Sequence, residues 1–227
     1  MTDLTAGSAS EANTDDSCDI GLSVGELQYL LSVSPGPAAD QSALVLGVAP
    51  VPSVDETITF GAASLLAHGL VEMVDGPEFR AVGPALVVSC LLTTARRWST
   101  IAGATEDAAD TGVYIESAEG ALLAQPRALG TWWFIVLDPA SAPEDVVVAA
   151  ALELAESDDA SGVFVQTTTG SLDRTFSVRR VADSWSYAFG DSGAETPEET
   201  REGVGAETAF SELASFIRAF PQLDAAA

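Results

Sequence analysis

Apolar residues recur at helical intervals in several stretches of the chain, and most of these stretches have a recognisable beginning. The side chains of Ser23 and Glu26 are spaced to bond each other's free backbone N–H groups, which is the capping-box pattern. It predicts a short helix that ends before Pro35. Residues 34–42 are predicted to form a loop, and residues 44–48 a strand or an extended segment. The apolar side of this first helix consists of Leu27, Leu30 and Leu31.

A second capping box, with Ser53 and Glu56, opens another helix, and Gly69 is placed to close it in a left-handed conformation. Two short segments that flank a Gly-Pro turn then predict a compact hairpin over residues 70–82. Pro84 suits the first turn of the next helix. The inward residues of that helix are predicted to be Val87, Cys90, Leu91 and Trp98.

Beyond residue 112 the pattern changes to alternating or continuous apolar runs, which are typical of strands. The run at 132–137 is apolar on both faces and predicts a central strand that is covered on both sides. Pro143 begins a helix, and residues 190–205 are predicted to form an acidic linker. The last helix places Phe210, Leu213, Ile217 and Phe220 on one side. Strands are predicted at 113–117, 121–125, 129–137, 163–168, 174–181 and 184–189.

A unit of three predicted strands followed by a helix therefore occurs twice, after three helices and a hairpin. Two such units fit an α+β fold in which one central antiparallel sheet is flanked by helices, in two pseudo-symmetric halves. We predict a disordered acidic tail over residues 1–20 and a single domain over residues 21–222. The halves would meet between residues 138 and 139, giving about 21–138 and 139–222.

The charge of the chain is strongly one-sided, with 34 acidic residues, nine Arg, no Lys and a net charge of −25. Such a charge repels phosphate, so we expect no binding to nucleic acid or to an anionic membrane surface. The helix and hairpin over residues 54–82 have the order of a winged-helix module, but their only basic side chains are His68 and Arg80. That layout is therefore interpreted as structural or protein-binding. The absence of Lys is typical of GC-rich bacterial genomes.

Candidate chemistry is scarce, because the chain has one histidine and two cysteines far apart in sequence. We predict no catalytic residue, no cofactor site and no metal site, and hence no enzyme. His68 is expected to be structural, and Cys90 a small buried residue that forms no disulfide with Cys18. The N-terminus lacks a signal-peptide pattern, and the apolar run at 85–95 is shorter than the about 20 residues that span a bilayer. A cytoplasmic location is predicted.

The segment 62–84, AASLLAHGLVEMVDGPEFRAVGP, resembles the EspG family, the cytosolic chaperones of type VII (ESX) secretion. It shows an Ala-rich helix that ends in Gly-Leu, a short hairpin and a helix led by Pro. The resemblance implies a central antiparallel sheet with helical bundles beside it. It also implies binding of an aggregation-prone secreted partner before export, either a PE–PPE-like substrate or another small helical protein. An actinobacterial origin would suit the composition.

Two hypotheses for function remain open from the sequence. One is the EspG-like chaperone, and the other is an acidic immunity or anti-factor protein that neutralises a basic partner. A chaperone needs an exposed apolar patch with a charged rim, and the segment 119–127 offers one candidate. The proposed partner-binding residues are Leu122, Leu123 and Arg127, with packing of the two leucines on the sheet as the alternative.

Overall fold

The computed structural model describes residues 19–48, 56–74, 79–104, 109–156, 162–170 and 172–220. Residues 1–18 of the predicted tail, Ser53 of the second capping box and the predicted Gly-Pro turn lie outside the described residues. Ile20, the last residue assigned to the tail, is buried and begins the first strand.

The described residues form six α-helices and eleven strands. The helices are α1 (Val24–Val33), α2 (Pro37–Val45), α3 (Glu56–Ala67), α4 (Gly83–Thr93), α5 (Pro143–Ala155) and α6 (Ala206–Ala219). The strands are β1 (Ile20–Ser23), β2 (Val71–Met73), β3 (Phe79–Ala81), β4 (Ala95–Ala104), β5 (Ala109–Ser117), β6 (Gly120–Arg127), β7 (Thr131–Val136), β8 (Gly162–Thr169), β9 (Leu172–Val181), β10 (Ser184–Asp191) and β11 (Glu199–Val204).

Nine of the strands form one antiparallel sheet in the order β1-β7-β6-β5-β4-β8-β9-β10-β11, and β2 and β3 form the separate hairpin. Four strands followed by a helix occur twice, as β4–β7 with α5 and as β8–β11 with α6. The two units meet where β4 pairs with β8, with Ile101 opposite Val165. The predicted α+β class, with a central antiparallel sheet flanked by helices, is confirmed.

Each predicted unit lacked one strand that the structure contains. Residues 95–104 form β4, although Trp98 was assigned to the preceding helix. That helix ends at Thr93, where the hydroxyls of Thr93 and Thr94 donate to the carbonyl oxygens of Ser89 and Cys90 and so weaken the last turn. Residues 199–204, assigned to the linker, form the edge strand β11. Its polar side chains give no apolar alternation, because an edge strand packs little.

Two hydrophobic cores lie on opposite faces of the sheet. The first lies under α1, α2 and α4, and all of its buried residues fall between Ile20 and Phe134. The second lies under α5 and α6, and it takes Ile101 from β4 and Tyr114 from β5. Adjacent residues of β5 serve different cores, since Tyr114 belongs to the second and Ile115 to the first. Helices α1, α2 and α4 therefore cover one face of the sheet, and α5 and α6 cover the other. The boundary near residue 138 stays a prediction.

Helix α1 begins where the capping box predicts. The backbone N–H of Ser23 donates to Oε2 of Glu26 at 2.8 Å, and the N–H of Glu26 donates to Oγ of Ser23 at 3.3 Å. The carboxylate also joins α1 to α3, because it accepts the Ser64 hydroxyl at 2.8 Å and lies 3.4 Å from Nδ1 of His68. Burial alone raises the pKa of Glu26, but the hydrogen bonds from Ser23, Ser64 and His68 outweigh it and hold the pKa below its ordinary value.

Helix α3 ends as predicted, with Gly69 at a positive φ of 69°. The N–H of Leu70 donates to the carbonyl of Leu65 at 2.8 Å, and the N–H of Gly69 donates to that of Leu66 at 3.1 Å. These two bonds are the Schellman pattern, which satisfies the last carbonyls of the helix. The chain then enters the β2–β3 hairpin, which confirms the predicted order of helix, glycine and hairpin.

The prediction for residues 34–48 is wrong, because residues 37–45 form α2. Pro37 occupies the first turn, where its missing N–H costs nothing, and Ser42 is buried against the first core. The hydroxyl of Ser42 donates to the carbonyl of Leu92 at 2.7 Å and accepts the indole N–H of Trp98 at 3.0 Å. This helix is short and rich in Ala, so its sequence lacks the large apolar stripe that identifies a helix.

The prediction of a central strand at 132–137 is also wrong. Strand β7 lies next to the edge strand β1, and within it only Phe134 is fully buried. The side chain of Trp133 is 39% exposed and lies over Gly21 of β1, where an added Cβ would be 3.1 Å from the indole ring. The apolar run therefore belongs to a strand next to the sheet edge, where the indole ring of Trp133 covers Gly21 and is itself partly exposed.

The inward face of α4 differs from the prediction by one position along the helix. Leu91 is buried as expected, while Val87 and Cys90 are half-buried. The thiol of Cys90 donates to Oε2 of Glu119 at 2.9 Å, and this contact raises the pKa of the Cys90 thiol, with burial adding to it. Cys90 is therefore a polar contact at the margin of the core. The buried residues of α4 are Ala85, Val88, Leu91 and Leu92.

Candidate protein-binding surface

One half of the sheet shows a face that the helices leave accessible. In β8 and β9, the side chains of Val163, Val165, Phe176 and Val178 are buried under α5 and α6. The alternate residues point the other way, away from this core. Phe164 is 40% exposed there, and its neighbours are small or polar. We call this surface the open face; it comprises Phe164, Gln166, Thr168, Asp173, Thr175, Ser177, Arg179, Val181, Ser186 and Ala188.

Hydrogen bonds within the open face hold its polar side chains in place. The amide of Gln166 donates to both carboxylate oxygens of Asp173, at 2.9 and 3.1 Å, and the Thr168 hydroxyl donates to the same residue at 3.2 Å. The hydroxyl of Ser177 donates to the carbonyl of Ala188 at 3.3 Å. Polar groups that already have partners lose less when water leaves, so this face is suited to contact with another protein.

The open face is also unusual in charge. It contains one acidic residue, Asp173, and one basic residue, Arg179, so its formal charges cancel in a chain of net charge −25. The cores of protein interfaces are depleted of charged residues and enriched in aromatic residues and Arg. Phe164 lies directly opposite Ser177 across the β8–β9 pairing, and Arg179, opposite Gly162, is the next residue of β9 on the same face. Arg is among the residue types that dominate binding energy, and Phe is enriched in the cores of interfaces.

A groove of about 750 Å³ adjoins the open face. Helix α2 forms one wall and the β8–β9 turn the other, and Thr168 belongs to both surfaces. Trp98 lies on its inner side and is held by the hydrogen bond to Ser42. The groove is lined mainly by apolar atoms, from residues that include Pro37, Ala38, Ala95 and Leu172. Its size suits one or two side chains of a partner.

The structure separates the three partner-binding residues that the sequence indicated. They lie on strand β6, and Leu122 is fully buried at 0% exposure in the first core. That assignment is corrected for Leu122, which is inaccessible because it points toward α4. Leu123 and Arg127 share the opposite face and line a second groove, of about 420 Å³, beside α5. The guanidinium of Arg127 donates to Oε1 of Gln125 at 2.7 Å.

The sequence contained a signal for the open face. Trp185, Tyr187 and Phe189 alternate along β10, and all three pack in the second core. The residues between them, Ser186 and Ala188, must then face the other side. Small polar residues opposite an aromatic row indicate a strand with one uncovered face. The position of α5 and α6 on the same side of the sheet is what leaves that face uncovered, and it depends on the topology.

Titratable groups do not converge on either groove in a way that suggests chemistry. Within the part of the chain that the structure describes, no three His, Cys, Asp or Glu side chains are grouped to hold a metal ion. Arg97 is buried beside the partly buried Glu116, and its Nε atom lies 3.3 Å from Oε2 of Glu116. Burial raises the pKa of Glu116, and Arg97 opposes this rise. The pair lies between β4 and β5, where it fixes the packing of the sheet.

The helices of the described residues are all too short or too polar to cross a bilayer.

These observations define an α+β protein with one large antiparallel sheet, helical layers on opposite faces, and an uncovered half-face beside a groove. A solved structure with this architecture is the Mycobacterium tuberculosis type VII secretion system chaperone EspG5, in complex with a PE25–PPE41 dimer. The likeness covers 90% of this chain and 97% of the EspG5 chain, with a TM-score of 0.52 and 12% sequence identity. No protein-family model matches the chain, and no curated protein sequence matches it. The chain has an EspG-like fold.

Proposed function

We propose that the protein is a cytoplasmic chaperone that holds a secreted substrate of a type VII secretion system before export. The observation that carries this proposal is the EspG-like fold over 90% of the chain, together with an open face built for contact with a protein. EspG5 is recorded in complex with a PE25–PPE41 dimer. We infer a substrate of the same kind here, a PE–PPE-like dimer or another small helical secreted protein.

The physical properties of the surface support a holding function. A chaperone for an aggregation-prone protein must cover an apolar tip of its substrate and remain in solution when it is empty. The open face supplies the cover through Phe164 and the adjoining groove. The charge of −25 on the whole chain supplies the repulsion that keeps empty copies apart. A neutral substrate is not repelled by this charge, and the open face to which it would bind is itself neutral.

The function is tested by co-expression with candidate secreted helical proteins from the same organism. We expect a one-to-one complex, with the PE–PPE-like dimer counted as one substrate, that stays together in gel filtration. Failure to bind any such protein at micromolar concentration would contradict the chaperone function.

The binding surface is tested by two Arg-to-Glu substitutions that change the charge equally, and by a third substitution at Phe164. Arg179 lies on the open face and Arg127 in the second groove, and both are exposed. Arg179→Glu should weaken substrate binding by roughly tenfold, and Phe164→Asp by roughly thirtyfold, as for residues at the centre of an interface. Arg127→Glu should leave the affinity unchanged. The reverse result would assign binding to the second groove, in agreement with the interpretation of Leu123 and Arg127 from the sequence.

The net charge of −25 favours one alternative, an acidic immunity or anti-factor protein that neutralises a basic partner. The two functions differ in their response to salt. Screening acts over about 8–10 Å at physiological ionic strength, so capture of a basic partner by surface acids would weaken steeply as salt is raised. Binding through the neutral open face should change by less than about threefold between 0.1 and 0.5 M NaCl. A steep loss of affinity would favour the alternative.

A further inference from the structure

The groove beside the open face differs in charge from the rest of the chain. Among the described residues that line it, Arg96 is the only ionisable side chain, and no Asp or Glu lies with it. The other lining side chains are apolar or neutral and polar, such as Pro37, Trp98 and Thr169. Acidic residues outnumber basic ones by 34 to nine along the chain. The groove is therefore a locally positive site on a molecule that is otherwise negative.

A β-bulge sets the position of Arg96. In the β4–β5 pairing Ala95 lies opposite Ser117 and Arg97 lies opposite Glu116, so Arg96 is an extra residue in β4. Ala95 and Arg96 both line the groove although they are adjacent in sequence, whereas Arg97 is buried beside Glu116. Bulges are frequent next to functional sites, because they re-aim a side chain without ending the strand.

Hydrogen bonds hold the apolar wall of the groove in place. The indole N–H of Trp98 donates to the hydroxyl of Ser42 at 3.0 Å, and this hydroxyl donates to the carbonyl of Leu92 at 2.7 Å. Trp98 lies opposite Thr168, where the β4–β8 pairing ends and the open face begins. A fixed apolar wall with a single charged group is the usual composition of a specific binding pocket.

The composition of the groove selects among possible occupants. A wholly apolar side chain would take water from the Arg96 guanidinium without supplying an anion, which is costly, and a basic side chain would be repelled. A carboxylate beside an apolar side chain matches both parts of the groove, because guanidinium and carboxylate fit each other in shape and charge. Asp173, the one acidic residue of the open face, already accepts hydrogen bonds from Gln166 and Thr168.

We propose that the groove binds a Glu or Asp side chain of the substrate together with a large apolar side chain next to it, with the carboxylate on Arg96 and the apolar group against Trp98. This inference rests on the proposed function, since it makes the groove part of the contact with the substrate. Charge complementarity of this kind contributes more to specificity than to affinity. The chaperone thus selects its substrate by an anionic group that most of its own surface repels.

Three short peptides test the groove without a substrate: acetyl-Leu-Glu-Leu-amide and the same peptide with Gln or Lys in place of Glu. Their binding to the full chain at about 0.15 M NaCl is followed by NMR through the indole N–H signal of Trp98. The Glu peptide should bind about fivefold more tightly than the Gln peptide, as for a partly exposed ion pair, and the Lys peptide should bind most weakly. Equal binding of the three peptides, or no shift with the Glu peptide at about 10 mM, would overturn the proposal.

Substitution of Arg96 tests whether this residue causes the preference. Arg96→Gln should abolish the difference between the Glu and Gln peptides, and Arg96→Glu should make the Lys peptide the tightest of the three. The matched control is Arg180→Gln, because Arg180 is exposed on β9 outside the groove and the open face. This control should keep the preference for Glu, and equal effects of Arg96→Gln and Arg180→Gln would contradict the assignment.

A substrate complex obtained by co-expression separates this proposal from the proposed function. Arg96→Gln should weaken the complex about fivefold, and Arg180→Gln should leave it unchanged. A substrate that binds the wild type and Arg96→Gln equally would refute the groove contact and leave the chaperone function standing. Discrimination among the peptides without binding of any secreted protein would have the opposite meaning.

Discussion

Replacing Glu26 with alanine should destabilise the protein by about 3 kcal/mol. The cap formed with Ser23 contributes about 1 kcal/mol. The hydrogen bond from the Ser64 hydroxyl to the buried carboxylate contributes about 1.5 kcal/mol, as for bonds to charged groups. The contact with His68 adds about 0.5 kcal/mol or less, because the imidazole is largely exposed. These interactions hold α1 to α3, so their loss should loosen the crossing of the two helices.

Urea unfolding at pH 7, followed by circular dichroism, measures this change. The control is Glu72→Ala, which removes an exposed carboxylate that pairs with Arg80 across the hairpin. Such surface pairs contribute about 0.5 kcal/mol. If Glu26→Ala costs no more than Glu72→Ala, the Glu26 carboxylate does not link α1 to α3. A double-mutant cycle of Glu26→Ala with Ser64→Ala should show a coupling energy of about 1.5 kcal/mol.

The effect of Glu26 should depend on pH in a defined direction. Its pKa in the folded protein is below the ordinary value of 4.5, which the unfolded chain retains. The unfolded state therefore binds more protons between the two pKa values, and the stabilisation by Glu26 is complete above the unfolded pKa. It is lost as the pH falls through the folded pKa. The stability difference between the wild type and Glu26→Ala should be constant from pH 7 to about 5 and shrink below about pH 4.5.

Two further substitutions test the packing, both by urea unfolding. Gly61→Ala would place a Cβ within the carbonyl group of Gly25, where α1 and α3 cross, and should cost about 3 kcal/mol. The control is Gly112→Ala, whose Cβ would have no neighbour closer than 3.8 Å and which should cost less than about 1 kcal/mol. Equal costs of the two substitutions would exclude the close crossing of α1 and α3. Arg97→Met should cost about 3 kcal/mol by removing the cation beside the partly buried carboxylate of Glu116. Adding Glu116→Leu should restore most of this loss, and failure to restore it would show that the ion pair is not the reason.

The elements predicted correctly are those whose local sequence carries its own boundary. Helix α1 begins at a reciprocal cap between Ser23 and Glu26, and α3 ends at Gly69, where a positive φ is required. The spacing of Phe210, Leu213 and Ile217 predicts helix α6 correctly, because this helix buries one side only and its apolar residues keep the helical period. In these cases the physical cause lies within a few residues of the feature.

The elements that were missed depend on distant parts of the chain. Strand β11 consists of polar residues and is a strand because β10 supplies its hydrogen-bonding partners. Helix α2 buries Ser42, which becomes favourable only because Trp98 and Leu92 supply a donor and an acceptor. A polar residue in such a position reads as surface in the sequence. The spatial order of the strands likewise results from pairings such as that of β4 with β8.

The candidate site was predictable in kind but not in place. The scarcity of histidine, cysteine and lysine favours a binding surface over an active site, and the sequence offers Leu122 and Leu123 of β6 as candidate contact residues. Leu122 and Leu123 are adjacent, so strand geometry places them on opposite faces, and one of them had to be inward. Which face of each half-sheet carries helices is a property of the topology. The sequence of β8 alone does not show that the face with Phe164 is the accessible one.

The open face and the edges of the sheet pose the same physical problem, and charge is a common answer. An uncovered sheet with edge strands tends to associate with other copies. Here the edge strand β11 carries Glu199, Arg201 and Glu202, and the opposite edge strand, β1, is only four residues long. These are features by which native proteins protect edges. With edges protected by charge and by length, the neutral regions that remain are the places where association is least opposed. Phe164 on the open face lies in such a region, so the charge distribution accounts for the proposed contact with a substrate.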